Sequence, residues 1–77
     1  MAYKKTKAVE AIDEAITRFV SGMKLAGKPV ERIYLTTKQI DLLIADLNKR
    51  LKDENKDAKE VRQMREYRGY EVKIYNP

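Results

Sequence analysis

The segment Tyr67-Arg68-Gly69-Tyr70-Glu71-Val72-Lys73-Ile74-Tyr75 constrains the fold more than any other stretch of the chain. Tyr70, Val72 and Ile74 alternate with Glu71, Lys73 and Tyr75, the period-two pattern of a strand with one face on a core and the other in water. Arg68-Gly69 immediately before it has the composition of a tight hairpin turn, so a preceding strand is expected from about Gln63 to Tyr67. A hairpin of two strands is marginal alone in water, and the rest of the chain must supply the surface that covers its apolar side.

Two segments have the right pattern to do so. Val9, Ile12, Ile16, Phe19 or Val20, and Met23 recur at spacings of three and four, with Ala8, Ala11 and Ala15 between them, which predicts an amphipathic helix. Gly27 and Pro29 end it, because Gly can take a left-handed cap and Pro cannot continue the hydrogen-bond ladder. Residues 1–5 are expected to be flexible. Glu31 to Leu35 alternates as a short strand with Ile33 and Leu35 inward, and Thr36 followed by Gln39 forms a capping-box pattern. The helix that begins there carries Ile40, Leu43, Ile44, Leu47 and Leu51 on one stripe, with Asp46 and Arg50 placed as an i,i+4 ion pair on the exposed side.

From Lys52 to Lys59 the only apolar residue is Ala58, so packing does not dictate the local structure. Either the second helix ends near Asp53 and a polar loop follows, or Asp57 and Glu60 cap a further turn carrying Ala58, Val61 and Met64; the loop is the favoured reading. The element order is then helix, strand, helix, strand, strand. Such a chain folds as an α+β two-layer sandwich, two amphipathic helices covering one face of a small two- to three-stranded sheet. If the first and last strands are parallel neighbours, the crossover through the second helix is right-handed. No repeat or low-complexity linker divides residues 1–77, and a chain of 77 residues has room for one domain and one modest core.

Composition excludes whole classes of chemistry. The chain contains neither cysteine nor histidine, which removes disulfides, thiolate nucleophiles, imidazole bases and the usual zinc ligands. No apolar run approaches the roughly 18 residues of a membrane span, and Lys4, Lys5 and Lys7 lead into an amphipathic stretch rather than a secretory h-region, so a cytoplasmic location is expected. The net charge of +5 is carried by the first two thirds of the sequence, since six basic and six acidic residues cancel from Asp53 onward. That bias permits contact with nucleic acid or acidic proteins without requiring it.

A short strand running into Leu35-Thr36-Thr37-Lys38-Gln39, a leucine-rich helix and a closing Tyr67-Arg68-Gly69-Tyr70-Glu71-Val72 resembles the pattern of small uncharacterised proteins of tailed bacteriophages and of segments of some phage head proteins. The resemblance covers the C-terminal half. It implies a viral accessory or virion-associated role, in the host cytoplasm or in the virion, and brings no catalytic residues with it.

The remaining side chains offer little for catalysis. Glu10, Asp13 and Glu14, and Asp53, Glu54, Asp57 and Glu60, lie among Lys and Arg at positions expected to be solvated; Asp13 and Glu14 point about 100° apart on a helix and do not pair. The stretch from Asp53 to Asp57 lacks the glycine and terminal glutamate of a calcium loop. Gly22, Gly27 and Gly69 are too dispersed to cradle a phosphate. No catalytic group, cofactor, metal or small-molecule substrate is therefore expected.

Two binding readings remain. Five of the six aromatic residues are tyrosines, and Tyr34, Tyr67 and Tyr75 fall on faces opposite the expected core; with Arg68 they are the candidate contacts for a protein partner or for self-association, because Tyr and Arg commonly anchor interfaces. Tyrosines also pack across strands at core edges, which accounts for some of them without any partner. The alternative is nucleic-acid binding, with Lys4, Lys5 and Lys7 as a mobile basic arm and Arg62 and Arg65 beside the tyrosines as a stacking surface. Glu60, Glu66 and Glu71 dilute that positive field. The leading expectation is a non-enzymatic protein-binding module.

Overall fold

A computed structural model describes residues 3–76. Helix α1 spans Lys7–Leu25, strand β1 Arg32–Leu35, helix α2 Thr37–Glu54, strand β2 Glu66–Tyr67 and strand β3 Tyr70–Ile74. The sheet order is β1-β3-β2, with β1 and β3 parallel and β2 and β3 antiparallel. The two helices and the small mixed sheet form the expected α+β architecture, with three strands.

Local chemistry explains where each helix starts and stops. The Thr6 side chain caps α1 by accepting from the Val9 N–H at 3.3 Å. At the other end Gly27, at φ 72°, allows the Gly27 N–H to reach the Lys24 carbonyl and the Lys28 N–H to reach the Met23 carbonyl. That pair of bonds is a Schellman motif, and Pro29 follows it. Helix α2 opens with the complete capping box: the Gln39 N–H donates to Thr36 Oγ1 at 3.1 Å, and the Thr36 N–H donates to Gln39 Oε1 at 2.9 Å.

Val9, Ile12, Ile16 and Val20 of α1 meet Ile33 and Leu35 of β1 and Ile40 and Leu43 of α2 in the core. Val20 rather than Phe19 completes the α1 stripe, and Phe19 is left 40% exposed. The central strand β3 contributes only half-buried Tyr70 and Val72. Ile74 shares their side of the strand but is 66% exposed, contrary to its expected inward position. In register it lies beside Leu35, the last residue of β1, at the end of the sheet.

Residues 55–65 form a loop, as expected, and not a further helix, with one turn at Lys56 and Asp57. Asn48 on α2 holds this loop, donating to the Val61 carbonyl at 2.8 Å and accepting from the Val61 N–H at 2.6 Å. Its amide thereby substitutes for a strand partner. The clasp keeps the incoming chain against α2, so β2 is two residues long instead of the expected Gln63 to Tyr67; beyond it, the Val72 N–H still reaches the Arg65 carbonyl at 2.9 Å. Arg68 and Gly69 have φ of 55° and 84°, the two left-handed residues of a type I′ hairpin.

The expected Asp46–Arg50 ion pair is replaced by contacts with Tyr3. The Tyr3 hydroxyl donates to the Asp46 carboxylate at 2.6–2.7 Å, and the Arg50 guanidinium stands 5.9 Å from the centre of the Tyr3 ring. Tyr3 and Lys5, within the span expected to be flexible, thus both make side-chain contacts with the helices. Met1 and Ala2 of that span lie outside the described residues.

Candidate functional site

Helices α1 and α2 and the β2–β3 hairpin enclose an open cleft of about 670 Å³. Asp13 lines it, accepting from the Tyr67 hydroxyl at 2.6 Å and from Lys5 Nζ at 2.5 Å. Arg68 reaches back from the turn to the Asp13 carbonyl at 3.3 Å and to Thr17 Oγ1 at 3.2 Å. Burial alone would raise the Asp13 pKa, but the hydrogen bonds from Lys5 and Tyr67 and the charges of Lys5 and Arg68 hold its carboxyl below the ordinary value. Tyr67 shifts the opposite way: burial, reinforced by the Asp13 carboxylate, pushes its hydroxyl above the ordinary tyrosine value. For Tyr3 the hydrogen bond to Asp46 is the main cause, with burial second, and the pKa is pushed up to about 12.

These shifts describe a structural tie. A general base working near neutrality needs a carboxyl raised toward 7, and Asp13 is moved away from it. Among the described residues, no three acidic side chains are arranged to hold a metal ion. Two of the cleft's carboxylates are already engaged, Asp13 with Lys5 and Tyr67 and Asp46 with the Tyr3 hydroxyl.

Of the four residues expected to contact a protein partner, the structure separates two from two. Tyr67 is half-buried, packs against the core and faces the helices, so it does not lie opposite the core as expected; Arg68 is tied to α1 beside it. The reason is register. Tyr67 pairs with Tyr70, an inward position of β3. Tyr34 and Tyr75 remain 57% and 53% exposed. Tyr34 lies opposite Lys73, two residues before Tyr75, so the two rings occupy diagonal positions on the outer face of the sheet.

That face is predominantly charged. Glu71 pairs with Arg32 at 3.4 Å and with Lys73 at 3.1 Å, and Arg65 and Glu66 lie alongside. The nucleic-acid candidates are dispersed around the molecule. Lys5 is bonded to Asp13, Lys7 is the first residue of α1, Lys4 and Arg62 are exposed, and Arg65 lies among Glu66, Glu71 and Lys73. They form no single basic stripe.

The feature that sequence patterning left unread is the free edge of β1. The Glu71 and Tyr75 N–H groups donate to the Glu31 and Leu35 carbonyls, so residues 31, 33 and 35 face β3, and by alternation Arg32 and Tyr34 turn their N–H and C=O groups outward. Beside this edge runs a groove of about 150 Å³ lined by Ala15, Ile16, Phe19, Ile33, Tyr34 and Leu35. A shallower hollow of about 250 Å³ adjoins it, with Met23, Pro29 and Val30 in its wall. Phe19 could have signalled this groove, being the apolar residue beside Val20 that a single helical stripe did not need. Among the described residues, no helix is long and apolar enough to cross a membrane. No family model, no curated protein and no solved structure matches this chain.

Proposed function

We propose that this protein is a non-enzymatic interaction module that accepts an extended segment of another protein chain along β1. The supporting observation is the outward-facing main chain of Arg32 and Tyr34 set next to the Phe19 groove. Strand addition takes affinity from main-chain bonds and specificity from pockets that receive alternate side chains. Here the added strand would place one set of side chains against Ala15 and Phe19 and the other beside Tyr34. Tyr34 belongs to this surface; Tyr75 lies just past β3 on the outer face of the sheet, and Tyr67 and Arg68 lie across the sheet at the β2 side. A phage accessory or virion-associated setting, implied by the sequence resemblance, is part of the same proposal. The interleaved charges on the sheet's outer face and the engagement of Lys5 weigh against the nucleic-acid reading.

Selection of a displayed random-peptide library against the protein tests the reading. Enriched peptides are expected to alternate apolar and polar residues and to lose binding to Tyr34→Pro and Tyr34→Lys variants. Proline at 34 removes an outward donor and no bond of the β1–β3 ladder, while lysine guards the edge without changing the backbone. Peptides that bind these folded variants as well as the parent would reject strand addition at β1.

A further inference from the structure

The β1 edge is self-complementary, and we infer that its partner is a second copy of this chain, joined antiparallel about a two-fold axis at Ile33 so that Arg32 of each copy lies opposite Tyr34 of the other. This rests on the strand-addition reading and adds the partner and its register. A two-fold antiparallel pairing of β1 with itself has three close registers that use the outward groups of residues 32 and 34. Two of them fail on features already described.

Pairing Tyr34 with Tyr34 of the second copy sets Arg32 against Thr36, whose N–H is committed to Gln39 Oε1 and whose carbonyl accepts from Ile40. Pairing Arg32 with Arg32 places two like charges directly opposite, which is destabilising, and sends Tyr34 against Val30, outside the strand. The register centred on Ile33 instead engages both outward residues of each copy, giving four main-chain hydrogen bonds. It also sets each guanidinium beside a tyrosine ring, a favourable cation–π neighbour. Across the outer face the order becomes Glu71, Arg32, then Tyr34 and Lys73 of the second copy, and the reverse, since Glu71 already flanks Arg32 and Lys73 already flanks Tyr34.

Brevity and a charged residue are common protections of a strand edge. In this register the charge is a contact rather than an obstacle. The two-fold closes on itself and consumes the β1 edge of both copies, so the product is a dimer of continuous six-stranded sheet and not a fibre. The small contact makes association weak and concentration-dependent.

The native chain has no cysteine, so single introduced thiols read the register directly. Opposed residues of a hydrogen-bonded antiparallel pair have Cα atoms about 5.5 Å apart, within disulfide range. Diagonal ones, at roughly 7–8 Å, are beyond it. Under mild oxidation, a mixture of Arg32→Cys and Tyr34→Cys proteins is expected to crosslink several-fold more than either protein alone, and light scattering of the parent is expected to rise with concentration from 9.0 kDa toward twice that mass. Crosslinking of either single variant alone, equal to the mixture, would overturn the register. A monomer mass at several hundred micromolar, with peptide binding that still depends on Tyr34, would overturn the second copy as partner and leave strand addition standing; the same mass with no Tyr34-dependent peptide would overturn both.

Discussion

Replacing Tyr67 by phenylalanine removes one hydroxyl from the network that joins Lys5, Asp13 and Tyr67. Its hydrogen bond to Asp13 joins the hairpin to α1 across 54 residues of sequence, at 2.6 Å. Hydrogen bonds to charged groups contribute about 1.5–3 kcal/mol, and the lower end applies because Tyr67 is only half-buried and Asp13 keeps its contact with Lys5. A loss of about 1.5 kcal/mol lowers Tm by roughly 6–12 °C in a domain of this size. Thermal unfolding followed by far-UV circular dichroism measures it. The loss carries a pH signature, since the Asp13 pKa is depressed on folding: its stabilisation is present above the unfolded value of 3.8 and disappears as pH falls through the lower folded value. The parent's advantage over Tyr67→Phe should therefore narrow below that value. A difference under about 0.5 kcal/mol near neutral pH, or one that persists undiminished at about pH 2.5, would refute the assignment of Tyr67 to this tie.

Further outcomes follow from the same geometry. Because the Tyr3 pKa is raised on folding, its contribution to stability should be intact below 10 and be lost as pH approaches about 12, so the parent's advantage over Tyr3→Phe in denaturant melts should shrink across that range. An advantage of the parent over Tyr3→Phe that holds unchanged to about pH 12 would contradict the Tyr3–Asp46 tie. Leu43→Ala should cost about 2–5 kcal/mol in a denaturant melt, since Leu43 is 1% exposed and packs in the core between the helices and β1. Arg68→Asn and Arg68→Val both lose the contacts with α1, so their difference isolates the backbone: the valine protein should be the less stable by about 1 kcal/mol or more, because φ of 55° suits asparagine and strains a β-branched residue.

What could be read from the sequence was local. The Thr36–Gln39 capping box, the Gly27 and Pro29 stop and the Arg68-Gly69 turn each depend on residues within a few positions of one another, and all three occur as expected. What could not be read joins residues far apart: Tyr3 with Asp46, Asn48 with Val61, Tyr67 with Asp13. Hydrophobic periodicity does not encode such polar pairs, because a half-buried Asp or Asn has the same composition signal as a solvated one. Ile74 illustrates the complementary limit. Alternation assigned its side of the strand, but how far the helix layer extends over that side is a tertiary property. The β1 edge emerged only once the parallel β1–β3 pairing fixed which main-chain groups point outward.

The three most deeply enclosed side chains, Val9, Ile33 and Leu43, come from α1, β1 and α2, all of which precede the strand that sits in the middle of the sheet. A nascent chain can thus collapse its two helices around β1 before the central strand has been synthesised, and β3 then slots in beside a preformed nucleus. Because the buried core residues come from α1, β1 and α2 and the hairpin adds only half-buried ones, hydrogen exchange is expected to reach the hairpin amides first and those of the helix pair last.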